Sequence, residues 1–226
     1  MNLDSALHWM ELLAGWALLQ QSLEHCRAQA ALRWLFVPRL LLAALLILQI
    51  QTQWVIPALL LLGLIMLHRF AGPYNGGSDR MTLLVLICLC AARLAPPRWQ
   101  EIALGYLALQ VVLSYFIAGW VKLRNPEWRN GRALRDVFEF SAYPVSDGLR
   151  RWADQPQLLY LVSWAVMVFE LLFPLALSSH TALLIALGIA ASFHLANALL
   201  FGLNRFFWIW IATYPCLIWF QQRIMG

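Results

Sequence analysis

The chain has 226 residues, of which 62% are hydrophobic and only 12% charged, with a formal net charge of +5. A soluble domain carries roughly a quarter charged residues, so this composition excludes an ordinary water-soluble fold and points to lipid as the solvent. The basic excess lies at helix ends rather than in one stripe, which excludes a nucleic-acid-binding surface and fits orientation in, and contact with, a membrane.

The opening MNLDSALHWMELLAGWALL is acidic and has no small-residue cleavage site, so no cleavable signal peptide is expected. A first helix is expected from Leu7 to Leu23, interrupted by Glu11, Gln20 and Gln21. Leu35–Ile50 reads as a second helix, Gln51–Gln53 as a tight turn and Trp54–Leu67 as a third helix. His68–Arg80, with Pro73, Gly76 and Gly77, reads as a loop. Met81–Leu94 is a fourth helix ended by Pro96-Pro97, and Glu101–Val121 a fifth. The link Lys122–Pro156 holds the densest charge, with a short interfacial helix over Arg132–Phe140. Leu158–Leu177, Thr181–Leu200 and Phe206–Phe220 complete the set.

The fold class expected is therefore all-α: a polytopic transmembrane bundle of about seven or eight helices, a single domain over 1–226 with no large soluble domain. With eight spans, thirteen Lys and Arg fall on one side and three on the other, which puts the rich side in the cytoplasm and both termini outside. The twelve Trp suit rings held at the lipid headgroups. The location expected is a cell (inner) membrane, with multiple passes.

Charge inside hydrocarbon costs about 2.5–3.5 kcal/mol per residue on insertion scales, so polar groups there need a reason. Lys122, the only lysine, ends the fifth helix in YFIAGWVKL. Tyr115, Ala118, Gly119 and Lys122 share one helix face. Its small residues admit a close helix or a flat ligand. A lysine dehydrated against such a face is a neutral base; one at a helix end can equally snorkel to water. His194 and Asn197 share a face one turn apart, and could bond a ligand oxygen or each other. Glu170 lies midway along an apolar span: a proton relay, a partner of Lys122 or an Arg, or a protonated acid bonded to a helix carbonyl. In PYNGGSDR, around Asn75, Gly76 and Gly77, either Ser78 or Asp79 caps the helix from Met81, or the loop folds over a polar cavity that Asp79 helps to close.

The four Cys form no CxxC pair and read as buried apolar thiols. The five His have no metal-ligand spacing, so no metal site is expected. No GxSxG, P-loop or GxGxxG occurs.

The stretch YFIAGWVKLRNPEWRNGRAL, with Ala118, Gly119, Lys122, Leu123, Trp128 and Gly131, resembles the transmembrane core of vitamin-K-dependent gamma-carboxylases and of their bacterial relatives, the HTTM (horizontally transferred transmembrane) proteins. SFHLANALLFGLNRFFW and NGGSD are similar to further family segments, so the resemblance covers roughly Tyr74–Pro215 in order. It implies a membrane-embedded enzyme, carboxylase-like in its chemistry, that uses a lysine base and a reduced, vitamin K hydroquinone-like cofactor on a peptide or small molecule. Carbon dioxide and oxygen would be co-substrates. The cofactor supplies a base no side chain can match, and the apolar bundle keeps water from it. By motif, Lys122 would be the base and His194 its assistant, with Tyr115, Gly119, Asn197, Glu170 and Asp79 around the cofactor. The carboxylases continue into a soluble substrate-binding domain, and this chain stops at Gly226, so the substrate would be held by the helices or by a partner protein that replaces that domain. They also work on the lumenal face, opposite to the side the charge count gives Lys122. Lipase maturation factors share a similar G-x-x-K-L…W stretch, which implies the alternative of a non-enzymatic helper that binds a client through Arg132, Arg135 or Phe138. A third alternative, a transporter with Glu170 as proton carrier, lacks the internal repeat such folds show.

Overall fold

The computed structural model describes residues 1–28, 33–69, 76–140 and 147–225, and every regular element among them is helical. The contacts divide the chain into two compact units, Met1–Ala108 with Arg205–Gly226, and Leu109–Asn204. Three helical stretches among the described residues are long and apolar enough to cross a bilayer: Pro97–Arg124, Pro156–Ser178 and His180–Phe201, with mean hydropathies of 1.8, 2.0 and 2.0. Large apolar side chains face outward, among them Leu41, Leu161 and Leu199 at 59–74% exposure. That is the surface a protein presents to acyl chains rather than to water.

In the first unit, α1 (Leu3–Ala28) carries Asp4 in its first turn and Arg27 in its last, each complementing the helix dipole. Packed against it is α2 (Arg33–Ile47), brought close at Gly15, where a Cβ would lie 2.8 Å from Cγ1 of Ile47 and 3.2 Å from the Ala43 carbonyl. α3 (Thr52–Arg69) follows, then α4 (Gly77–Leu94) and the first part of α5 (Pro97–Arg124). α11 (Asn204–Ile211), from Arg205 on, and α12 (Tyr214–Met225) complete the unit. Leu7, Met10, Phe36, Leu46, Leu59, Leu86 and Leu89 make its core. Glu11, fully buried, is held by a fork from Arg93 at 2.5 and 2.9 Å, which ties α1 to α4.

The second unit continues α5 from Leu109 into α6 (Pro126–Arg129), α7 (Arg132–Phe140) and α8 (Asp147–Arg150). A 3-10 turn at Arg151–Asp154 leads to α9 (Pro156–Leu172), a second 3-10 turn at Phe173–Ser178 and α10 (His180–Phe201). α10 starts at Ser179, whose hydroxyl accepts from the Ala182 amide. It stops at Gly202 with φ +69°, a left-handed end that lets Leu203 N–H reach the Asn197 carbonyl.

Several expected boundaries move, each for a local reason. α1 extends over Leu3–Ala28, because Glu11 and Gln21 have polar partners inside the unit and do not interrupt it. The turn falls at 48–51, with positive φ at Gln49 and Gln51, rather than at Gln51–Gln53. α4 begins at Gly77, so Ser78 and Asp79 lie in its first turn rather than ahead of it; the cap position is Gly76, which has no side chain to use, and its backbone N–H donates to the Asp79 carboxylate from inside the helix. α5 begins at Pro97, the first-turn position that suits a residue without an N–H. Phe206–Phe220 is two helices, because Pro215 cannot donate to the backbone and its ring crowds the carbonyl four residues earlier. The short helix expected over Arg132–Phe140 has those bounds. Pro73 and Asn75, in the loop expected over His68–Arg80, lie outside the described residues.

Candidate functional site

The second unit gathers five of the residues singled out from sequence: Tyr115, Gly119 and Lys122 on α5, Glu170 on α9 and His194 on α10. The buried stripe of α9 is Leu159, Ser163, Met167 and Glu170, the spacing of one helix face. Gly119 explains how α9 comes so near α5. A Cβ there would stand 2.8 Å from the Leu171 amide nitrogen and 2.9 Å from Cβ of Glu170. Of the two uses expected for this small face, a close helix is the one present.

That approach delivers Glu170 to Lys122. The ammonium donates to both carboxylate oxygens at 2.6 Å, with the side chains 19% and 4% exposed. Of the roles open to Glu170 in the sequence, partner of Lys122 is the one found. The Lys122 nitrogen also stands 5.3 Å from the ring centroid of Trp128, a cation–π contact. One face of the amine is thus covered by an indole, and the amine itself by a buried carboxylate.

Beside this pair, the Tyr115 hydroxyl is hydrogen-bonded to Nε2 of His194 at 2.8 Å, both residues being buried. The Tyr115 ring stacks on Phe173 at 4.1 Å and meets Phe169 edge-on at 6.0 Å. Phe193 lies tilted against His194 at 5.1 Å. Two polar pairs are thus set among flat apolar rings. Asn197 is half-buried, and its carbonyl helps to close the end of α10. Asp79 belongs to the first unit, where Gln21 and Arg205 are its partners.

The polar gap after Lys122 is anchored to α9. Asn125 caps α6 by accepting from the Glu127 amide at 2.9 Å. The carbonyls of Trp128 and Arg129 accept from the Ser163 hydroxyl at 2.6 Å and the Trp164 indole at 3.0 Å. Gly131, at φ +81°, passes so close to Tyr160 that a Cβ would lie 3.0 Å from its backbone. In this W-x-x-G stretch, Trp128 faces the amine and Gly131 permits the crossing over α9.

A model of the HTTM domain matches residues 91–222, more than half of the chain. The chain belongs to the HTTM-domain family. The HTTM match takes in all of the Lys122 group and parts of both units, and NGGSD lies before it. With the three long apolar helices, it makes this HTTM protein an integral membrane protein. No curated protein and no solved structure gives a significant match.

Sequence reasoning missed the Tyr115–His194 bond, the Ser163 and Trp164 anchors and the contact of Trp128 with the amine. Ser163 left a signal, being a polar residue in an apolar run two turns before Glu170 on the same face. Phe138, expected on a client-binding surface, is instead 4% exposed and packs with Ala153, Leu159 and Phe201. The outward face of α7 is the charged one, with Arg132 and Arg135 each about half or more exposed beside Asp136 and Glu139. Among the described residues no cluster of His, Cys, Asp and Glu could hold a metal ion.

Proposed function

We propose that this HTTM-domain protein is a multi-pass enzyme of the cell membrane, one domain over 1–226, which uses Lys122 as a base and a reduced quinone-type lipid cofactor to modify a peptide or small molecule. The reading follows the gamma-carboxylase core, whose lysine-containing stretch this sequence resembles. The observation that carries it is the Lys122 amine held by both oxygens of buried Glu170 beside the Tyr115–His194 pair.

An ion pair between an amine and a carboxylate can exchange one proton internally. Moving it from Nζ to a Glu170 oxygen leaves a neutral amine and a carboxylic acid, with no net charge created in the apolar interior. Lys122 then has a lone pair with which to take a proton from an acidic hydroxyl; the ammonium that forms is balanced by the oxyanion left behind, while Glu170 stays a neutral acid. Tyr115 and His194 offer a hydroxyl and an imidazole that can donate to, or accept from, an oxygen atom.

These groups fit a hydroquinone by the chemistry of the donor set, which offers polar heads for ring oxygens next to the mutually packed rings of Tyr115, Phe169 and Phe173. A bound reduced quinone would supply the strong base that protein side chains lack. If the modification is a carboxylation, carbon dioxide and oxygen are co-substrates and a secreted peptide or protein is the acceptor.

The test is to purify the protein from its own membrane, identify any co-purifying lipid quinone, and follow oxidation of added hydroquinone under oxygen. Lys122→Ala should slow that oxidation by at least about 100-fold, the usual contribution of a positioned base. A preparation with no lipid quinone, together with an undiminished rate in Lys122→Ala, would refute the proposal.

The exposed charged face of α7 favours a second reading, a non-enzymatic helper that holds a client protein. In that case Arg132→Ala and Arg135→Ala would abolish client maturation and Lys122→Ala would leave it intact.

A further inference from the structure

The first unit contains a polar cluster that the proposed chemistry does not use. Four helices supply it: Gln21 and His25 from α1, Arg39 from α2, Asp79 from the first turn of α4 and Arg205 from α11. Gln21 sits at its centre. It accepts from Nη2 of Arg39 at 2.7 Å and donates to Oδ1 of Asp79 at 2.9 Å. Nη1 of Arg205 lies 3.8 Å from the same Asp79 oxygen. His25 lies beside Phe36, ring centroids 4.5 Å apart, with Nδ1 at 2.9 Å from the Gln21 carbonyl. Phe206 reaches in over Gly77, where a Cβ would stand 2.9 Å from Cζ of that ring. Gly77 and Asp79 of NGGSD thus meet Phe206 and Arg205 of NRFFW here.

Two guanidinium groups, Arg39 and Arg205, face one carboxylate. Arg39 is 3% exposed, and its nearest hydrogen-bonding partner is the neutral amide of Gln21. Its Nε and Nη1 find no hydrogen-bond acceptor among the described residues. Buried guanidinium groups are retained when they are paired and bonded, and an uncompensated one strongly destabilises its surroundings. The cluster also lies at the start of α4, an 18-residue helix. The amides of Gly77 and Ser78 are in its first turn, where N–H groups lack helical partners and the dipole favours an anion.

We propose that this cluster binds a phosphate oxyanion, either the phosphodiester of a phospholipid or a small phosphate, on the open donors of Arg39 with Arg205 and the α4 amides. A negative charge there would meet the open donors of Arg39. The Nε–H and both Nη1 hydrogens of Arg39 need more acceptor oxygens than a single carboxylate supplies conveniently, and phosphate provides them. Asp79 acts against this ligand, because it is the competing anion.

Those opposed roles give the test. The full-length protein in detergent is titrated separately with short-chain phosphatidylglycerol and with sodium phosphate at constant ionic strength, and the melting temperature is read from tryptophan fluorescence. Wild type should be stabilised saturably. Arg39→Gln should weaken the apparent affinity about ten-fold or more, the loss expected for charge-assisted hydrogen bonds. Asp79→Asn should bind more tightly than wild type, a direction that a merely structural role would not produce. A response to phosphatidylglycerol alone identifies a lipid headgroup, and a response to both probes identifies the phosphate group itself. No response to either probe in wild type overturns the proposal, as does equal affinity in wild type and Arg39→Gln. If Arg39→Gln does not fold, Asp79→Asn decides, and affinity no tighter than wild type overturns the proposal.

Discussion

The pairing of Lys122 with Glu170 makes a demand on stability that does not depend on any activity. Lys122→Met leaves the carboxylate of Glu170, 4% exposed, without its counter-ion inside apolar helices. Breaking a buried pair from one side costs about 3–5 kcal/mol, and the 19% exposure of the lysine side chain places this case near the lower end. For a chain of this size about 1 kcal/mol corresponds to ~2–4 °C, so the melting temperature should fall by about 6–12 °C. Glu170→Gln should cost less, because the freed ammonium sits on a long stem near the helix end and can reach water. The double variant Lys122→Met/Glu170→Gln leaves no charge behind and should be milder than Lys122→Met alone. The assay is the melting temperature of all four proteins in lipid nanodiscs. A double variant whose loss equals the sum of the two single losses would show that the groups do not interact, as would a Lys122→Met shift under ~2 °C.

Two further outcomes follow from the same helices. Gly119→Ala places a methyl group 2.8 Å from the Leu171 backbone nitrogen, which cannot swing aside, and should cost about 1–3 kcal/mol by the same melting assay. Gly188→Ala, with nothing within 4 Å of its Cβ, should be neutral or stabilising by up to ~1 kcal/mol. Tyr115→Phe keeps the stack on Phe173 and removes the hydroxyl bonded to buried His194 Nε2, so it should cost about 1–3 kcal/mol and shift the His194 imidazole resonances.

The helical architecture was legible because lipid imposes one simple rule, long apolar runs, and α9 and α10 begin and end within a few residues of the spans expected for them. Boundaries failed where a side chain found a distant partner. Glu11 and Gln21 look like interruptions until Arg93 and Asp79 stand opposite them. Pro215 was overlooked inside an apolar run, although its missing N–H divides that run in two. In the site, spacing along α5 put Tyr115, Gly119 and Lys122 on one face without help. It could not choose between water and Glu170 for the amine, because that choice depends on the approach of α9 at Gly119. The Tyr115–His194 bond joins residues 79 positions apart, a separation at which local periodicity carries no information.

The anchoring of α6 on α9 has a mechanical consequence. Ser163 and Trp164 grip the carbonyls of Trp128 and Arg129, and Glu170 lies seven residues beyond Ser163, about 10 Å along the same rod. The strap that carries α7 and the counter-ion of the lone lysine are therefore mounted on one stiff beam. Whatever tugs on that strap reaches the amine as a displacement of its carboxylate, with no hinge between them to absorb it.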